Sequence, residues 1–249
     1  MSFKNKVALI TGSGSGMGEA TAILFAKEGA NVVIVDWNEE AANKTAEQCK
    51  KFGRVLVVKT DVSIDEEVKN AIDKTIKEFG KLDVLVNNAG ITREHNLLSG
   101  NIMESCDLVL AVNLRSVILM TSIATPHLIK TKGCIVNMSS IFSSMTNLAV
   151  RFPVYAVTKA GVDCFTRVSA LELAPKGVRV NAVNPGPVYT NILVNAGIDG
   201  NFDDYAKATP INRSSDPEEI ANLILYLASD KARSITGSTY PIDCGMSLM

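Results

Sequence analysis

Short runs of β-branched residues alternate with longer stretches whose apolar positions recur every three to four residues, almost from end to end. Val7 to Thr11, Asn31 to Asp36, Val55 to Lys59, Leu82 to Asn87, Cys134 to Met138, Arg179 to Asn184 and Ser238 to Ile242 read as strands. Between them, Gly18 to Glu28, Glu39 to Phe52, Asp65 to Phe79, Glu104 to Ile129, Val154 to Ala174 and Asp216 to Ala228 read as helices. Strands this continuously apolar are buried on both faces, so the alternation predicts an α/β fold: a doubly wound, seven-stranded parallel sheet flanked by helices. Asp216-Pro217-Glu218-Glu219 is a helix start, with an Asp cap, a proline whose missing N–H costs nothing there, and acids at the positive end.

Nothing divides the 249 residues. No linker rich in Ser, Gly or Pro and no repeat of 20 to 50 residues interrupts them, so residues 1–249 are expected to form a single domain. Tyr189 to Pro210 is poorly periodic and carries Gly197, Gly200, Asp203 and Asp204, which suggests a lid over one edge of the sheet, at about residues 189–210.

Composition narrows the chemistry. Hydrophobic residues make up 47% and charged ones 20%, as in a globular protein with a full core. The 25 basic and 26 acidic residues nearly cancel, so no global field gathers nucleic acid or anionic lipid, and neither is expected as a partner. Apolar stretches look broken by charge or glycine before the length of a membrane span, and the N-terminus lacks the pattern of a secretory signal. Five scattered cysteines without a C-x-x-C read as reduced thiols in a cytoplasmic protein, and two histidines give a zinc site little support, so no metal is expected.

After the first strand comes Thr11-Gly12-Ser13-Gly14-Ser15-Gly16-Met17-Gly18, running into a helix. This succession puts backbone N–H groups and the positive helix end where a pyrophosphate can sit. The spacing through Gly12, Gly16 and Gly18 is G-x-x-x-G-x-G, and no Gly-Lys-Ser/Thr suggests a nucleotide triphosphatase. Asp36 ends the second strand, where a carboxylate can accept hydrogen bonds from an adenosine ribose and repel a 2′-phosphate. With Trp37 rather than Arg behind it and Ser15 rather than a basic residue before Gly16, NAD is favoured over NADP.

These features resemble the short-chain dehydrogenase/reductase family over almost the whole chain. Thr11 to Gly18 looks like that family's cofactor loop, including Gly12, Ser15, Gly16, Met17 and Gly18, and Asn87-Asn88-Ala89-Gly90 looks like its N-N-A-G signature. Asp61-Val62 resembles the pair beside the adenine; Pro185-Gly186, followed by Val188 and Thr190, resembles the segment that holds the nicotinamide carboxamide. The resemblance implies a Rossmann-type sheet with NAD(P) at the carboxyl ends of the strands. It also implies a catalytic set of Asn113, Ser140, Tyr155 and Lys159, a homotetramer built partly through the two longest helices, and, for Asn113, a water leading toward the lysine.

Tyr155 and Lys159, one helical turn apart, can communicate electrostatically. The cation and an oxidised nicotinamide are expected to favour phenolate, making Tyr155 the acid/base, with Lys159 also reaching the nicotinamide ribose. Ser140 would steady the substrate oxygen; Ser143 is an alternative because the interval from Ser140 to Tyr155 is slightly longer than the family's commonest. Asn113 could instead be a buried helix asparagine that satisfies backbone groups. His95 could border the substrate mouth, whereas His127 reads as structural.

The loops Ile91 to Asn96, Ile141 to Pro153 and Tyr189 to Pro210 would choose the substrate, and Phe142, Met145, Leu148, Phe152, Val188, Ile192 and Leu193 make that pocket apolar. The expected function is NAD-dependent interconversion of a secondary alcohol and a ketone on an apolar or cyclic small molecule such as a hydroxysteroid. Reduction of a 3-oxoacyl thioester and a catalytically silent NAD(H) sensor are the alternatives.

Overall fold

The computed structural model describes residues 2–198 and 202–249. Among these, β1 (Val7–Thr11), β2 (Asn31–Asp36), β3 (Val55–Lys59), β4 (Val84–Asn87), β5 (Cys134–Met138), β6 (Arg179–Pro185) and β7 (Thr239–Ile242) form one sheet, in the order β3-β2-β1-β4-β5-β6-β7. All six pairings are parallel, as the pattern predicts. The chain winds outward from β1 in both directions, so a crevice opens between β1 and β4 at the carboxyl ends of the strands.

The two-residue period of the strands divides the core. Ala8 and Ile10 of β1 face one layer with Phe25, Ile34, Val86, Ile220 and Ile224. Val7 and Leu9 face the other, with Val33, Leu85, Met120, Leu128, Ile135 and Val180. The first layer is covered by α1 (Gly16–Lys27), α2 (Glu39–Cys49) and, further along the chain, the helix Pro217–Ala228. Leu9 and Ile10 are completely buried; each such side chain contributes about 1.5–3 kcal/mol through removal from water.

The opposite layer is covered by α3 (Asp65–Phe79), α5 (Ser116–Thr131) and α6 (Pro153–Leu173), with α4 (Met103–Leu110) packed against α6. Sequence periodicity reads 104–129 as one regular helix, but Ala111–Arg115 is a π-helical turn joining α4 to α5. Such an insertion widens the helix locally and often marks a functional site. The whole stretch Met103–Thr131 is, by length and composition, apolar enough to cross a membrane, which corrects the expectation that no stretch is. Its Val112, Val117, Met120, Ala124 and Leu128 are nevertheless buried, and its Arg115 makes a two-pronged ion pair with Asp65 of α3.

Residues 189–210 contain two short helices, α7 (Ile192–Asn195) and α8 (Phe202–Lys207); residues 199–201, Gly200 included, lie outside the described part. The final helix, α9 (Pro217–Ala228), starts at the expected cap: Glu219 Oε2 accepts the Asp216 N–H at 2.9 Å. The same carboxylate forms two 2.6 Å bonds with Arg213, and these hold its pKa down at about 2.

At the amino ends of the strands, Asp83 fastens β1 to β4. Its Oδ2 accepts the Val7 N–H at 2.9 Å, and Lys6 and Lys81 approach the carboxylate at 3.2 and 3.0 Å. A buried polar row crosses the sheet higher up: Asn87 donates to Asn137 at 2.9 Å, and Asn137 donates to Thr166 of α6 at 2.9 Å. Asn87 is therefore a sheet-binding residue.

Candidate active site

The glycine loop is shaped by what lies against it. Gly12 and Gly16 have φ of +64° and +57°, which suit glycine. A Cβ on Gly18 would stand 2.1 Å from the Gly12 carbonyl oxygen, so α1 meets the loop at a distance only glycine allows. Ser15 precedes α1 in extended conformation, and its side chain makes no cap bond to the N–H groups at the helix start. Met17, partly buried, packs on the core beneath.

Asp36 closes the second side of this cradle. Its Oδ2 accepts the Gly14 N–H at 2.8 Å and its Oδ1 the Asn38 N–H at 2.9 Å, while Trp37 beside it is 73% exposed. Asp61 holds a turn, its Oδ1 accepting from the N–H and hydroxyl of Ser63 at 2.9 and 2.6 Å, and Val62 is buried next to it.

Adjacency of β1 and β4 brings the N-N-A-G segment onto the loop. Asn88 Nδ2 donates to the carbonyls of Thr11 and Gly12 at 2.9 and 3.1 Å, and the Asn88 and Ala89 N–H groups both donate to Thr11 Oγ1 at 3.0 Å. Thr11 thus organises the junction, a role signalled in sequence only by its place between strand and glycines. Asn88 Oδ1 is buried and has no partner among the described residues. On the far side, Gly186 N–H donates to Ile242 at 3.1 Å, Val188 is buried and bridges to Ser215, and the Thr190 methyl lies 3.1 Å from where a Gly16 Cβ would be. Pro185 ends β6 directly before this turn.

These residues fit a dinucleotide: a side-chain-free cradle at a helix start, a carboxylate at the end of β2 and an orphaned acceptor, all on one rim. Gly12, Ser15, Gly16, Met17, Gly18 and Asn88 lie together at the start of α1, and Asp36 and Trp37 at the end of β2.

Tyr155, Lys159 and Ser140 meet across α6 and the end of β5. Lys159, 2% exposed, donates to the Met138 carbonyl at 2.8 Å, with Nζ 5.4 Å from the centre of the Tyr155 ring. Ser140 caps the short turn Ile141–Ser143; its Oγ accepts the Phe142 N–H at 3.2 Å, and its hydroxyl neighbours the Tyr155 phenol closely enough to lower its pKa. The Ser143 hydroxyl instead accepts from Asn184 at 3.2 Å, so Ser140 is the serine brought to Tyr155.

Burial dominates the electrostatics of this pair. Burial pushes the Tyr155 phenol up to about 12, opposed by the hydrogen bond with Ser140, and Lys159 is not among the groups that lower it. The ammonium is directed to the Met138 carbonyl, and its own burial pulls it down to about 8 against the favourable charge of Asp163.

Asn113 sits in the π-helical turn and is wholly buried. Its Oδ1 accepts the Ile91 N–H, and its Nδ2 donates to the Ile91 carbonyl and to Thr158 at 2.8 and 3.3 Å. The side chain satisfies backbone groups, the second of the roles expected for it, and both amide protons are used. Gly90 lies beside it: a Cβ there would be 3.5 Å from both Asn113 Oδ1 and Lys159 Nζ.

Phe152, Leu193 and Ile198 are buried together, with Phe142, Tyr155, Ile192 and Tyr205 packed against them. Phe142 stands edge-on to Tyr155, ring centres 6.2 Å apart, and stacks on Phe152 at 6.1 Å. Ile198 and Tyr205 join a wall that sequence reading drew without them. The same reading missed an ion pair at the mouth, where Arg151 holds Glu94 at 2.7 and 2.6 Å. His95 bonds to Ser105 of α4 at 2.8 Å; His127 lies half-buried near the end of α5, one turn from Thr131, whose hydroxyl reaches the Leu82 carbonyl at the opposite rim.

Comparison with known proteins agrees with this geometry. Residues 12–247 match the family described as enoyl-(acyl carrier protein) reductase. The chain is 38% identical to meso-2,3-butanediol dehydrogenase of Serratia marcescens, over 98% of this chain and 96% of that one. It is 38% identical to the 3-oxoacyl-[acyl-carrier-protein] reductase FabG of Thermotoga maritima, over 99% of both, and 36% identical to cyclohexanol dehydrogenase of an Acinetobacter species, over 97% and 94%. Among solved structures, a Caenorhabditis elegans short-chain dehydrogenase/reductase with cofactor superposes with a TM-score of 0.93 at 38% identity, covering 99% of this chain and 97% of that one. The Brucella melitensis 3-ketoacyl-(acyl-carrier-protein) reductase complexed with NADH gives 0.90 at 35% identity, covering 99% and 100%.

Proposed function

The chain belongs to the short-chain dehydrogenase/reductase family, an oxidoreductase family acting on alcohol/ketone pairs, and within it we propose that this protein is an NAD-dependent dehydrogenase of a secondary alcohol on an apolar or cyclic small molecule, a hydroxysteroid being one such compound. The observation that carries this reading is the Ser140–Tyr155 pair facing the apolar wall of Phe142, Phe152, Leu193 and Ile198.

When bound, the nicotinamide supplies or accepts the hydride and, oxidised, adds a positive charge near the phenol. Tyr155 keeps its proton at neutral pH and is ready to donate it to a ketone oxygen; in the opposite direction it takes the proton of the alcohol. Ser140 Oγ lies where it can donate to that same oxygen. Lys159 holds its charge against the end of β5 and near Gly90, within reach of a ribose hydroxyl. Asn113 braces Ile91 and so the turn after Gly90; Asp61 and Val62 would border the adenine, and Pro185, Gly186, Val188 and Thr190 would hold the carboxamide.

Asp36 supports NAD over NADP, because a buried carboxylate with no basic residue beside it in sequence repels a 2′-phosphate. Residues 1–249 would act as one domain, with 189–210 as the lid. The exposed apolar residues Ile118, Val157, Val168 and Leu171 of α5 and α6 support a homotetramer, and five free thiols support a cytoplasmic setting.

Reduction of a 3-oxoacyl thioester is the second reading, favoured by the likeness to the Thermotoga maritima enzyme and opposed by Asp36 and the balanced charge. Steroid alcohols, cyclic alcohols, acyclic diols and 3-oxoacyl thioesters, each assayed with NAD(H) and NADP(H), test the two. The highest kcat/KM is expected on a cyclic or steroidal alcohol with NAD; a thioester preference with NADPH would overturn the proposal. Tight NADH binding without turnover of any substrate, unaltered by Tyr155→Phe, would indicate a silent sensor.

A further inference from the structure

The inner face of α6 carries a third polar residue in register with the pair described above. Asp163 follows Lys159 by one turn and Tyr155 by two, and it is 9% exposed. Both its carboxylate oxygens face Asn184 Nδ2 of β6, at 3.2 and 3.0 Å. That same nitrogen lies 3.2 Å from the Ser140 carbonyl and 3.2 Å from the Ser143 hydroxyl, the two ends of the turn that Ser140 caps.

The orientation of Asn184 is imposed. Its Oδ1 is buried and has no partner among the described residues, a costly arrangement for an amide that could rotate. Rotation would set that oxygen against two carboxylate oxygens, so Asp163 holds the N–H side toward the Ser140–Ser143 turn. The contacts close a ring: α6 carries Tyr155 and Asp163, Asp163 grips Asn184, Asn184 grips the turn, and the turn presents Ser140 Oγ to the phenol. Asp163, Asn184 and Ser143 also line a cavity of about 310 Å³ on the side of α6 toward β7, away from the wall of Phe152 and Leu193. Asp163 and Asn184 thus reach the turn from behind the site, while Phe142 and Tyr155 carry the ring to the substrate wall.

We propose that Asp163 is a positioning residue for the reaction, acting through Asn184 to hold the Ser140 hydroxyl in line with Tyr155. Its charge also favours the protonated form of Lys159, so one carboxylate serves both partners of the phenol. The inference rests on the roles proposed above for Ser140 and Tyr155.

A kinetic double-mutant cycle between Asp163→Ala and Ser140→Ala tests it, with NADH binding measured for every variant. Asp163→Ala is expected to lower kcat about tenfold or more, with the Kd for NADH changed by less than about twofold; Asp163→Asn, which restores one acceptor, is expected to recover most of the loss. In the Ser140→Ala background the Asp163 change should cost less than about twofold, because the group it positions is already gone. A full additional loss in that background, or an Asp163→Ala enzyme as fast as the parent, would overturn the proposal while leaving Ser140 its role. A Ser140→Ala enzyme of parental activity would remove the role of Ser140 and this proposal with it. Should Asp163→Ala fail to fold, Asn184→Ser takes its place in the same cycle with the same readings.

Discussion

Asn113 closes on the main chain of Ile91 from two sides, Oδ1 accepting its N–H and Nδ2 donating to its carbonyl, each at 2.8 Å. A side-chain amide here imitates a neighbouring strand for one residue of loop. The π-helical turn makes the reach possible, since the extra residue bulges toward the crevice at the level of Gly90. Asn113→Ala would leave both Ile91 groups unpaired in a half-buried place. The expected cost is about 2–4 kcal/mol of stability from two lost bonds and the desolvated groups they leave, read as a lower urea midpoint at unchanged m-value.

Tyr155→Phe keeps the ring that Phe142 meets edge-on and removes only the hydroxyl. Turnover is expected to fall by about 10²–10⁴, with NADH binding, followed by nicotinamide fluorescence, within about twofold of the parent. In the parent enzyme the phenol is held up at about 12, so ketone reduction finds it protonated at neutral pH. Alcohol oxidation needs it deprotonated, and kcat/KM in that direction should rise with pH between 7 and 9.

Lys159 titrates at about 8 in the folded chain against an ordinary 10.5. Between those values the unfolded chain binds a proton that the folded one lacks, so this residue makes stability rise with pH, by up to about 1.4 kcal/mol per unit. Tyr155, shifted upward, acts in the opposite sense only above pH 10. The difference in urea midpoint between the parent and Lys159→Met, measured from pH 7.5 to 10, should therefore change steadily in favour of the parent.

Asp36→Ser removes the carboxylate and weakens the bond to the Gly14 N–H. The expected result is a rise of at least about tenfold in the KM for NADH and measurable turnover with NADPH, since the like-charge obstacle to a 2′-phosphate is gone. An unchanged ratio of kcat/KM for the two coenzymes would assign Asp36 to the loop alone.

Glu94 and Arg151 are paired at the mouth yet remain accessible, and such pairs contribute only about 0–1 kcal/mol to stability. Arg151→Ala should leave the Tm nearly unaltered. It frees the loop after Gly90 from the segment that carries Phe152, so the KM for a cyclic ketone is expected to shift severalfold while the Kd for NADH holds.

Much of this site could be read from residue order. The strands announced themselves because both faces of a parallel sheet are buried, and the glycine loop because a Cβ at Gly18 would strike the Gly12 carbonyl. What escaped depends on distances between segments far apart in the chain. Periodicity could not reveal the π-helical turn, since one inserted residue barely disturbs an apolar stripe that is buried mainly on one side. Spacing placed Lys159 within range of the Tyr155 ring but could not foresee that its ammonium would turn to the Met138 carbonyl. Asp163 was passed over as one acid on a long helix; its meaning appears only when β6 brings Asn184 alongside.

The clasp of Asp83 with Val7, Lys6 and Lys81 lies at the amino ends of the strands, opposite the glycine loop and Tyr155. Catalysis and structural anchoring are thereby assigned to opposite poles. Gly80, which opens the turn at that quiet pole with nothing within 4 Å of its would-be Cβ, offers a natural seam for grafting a tag, a tether or a new pair of chain ends without disturbing the working pole.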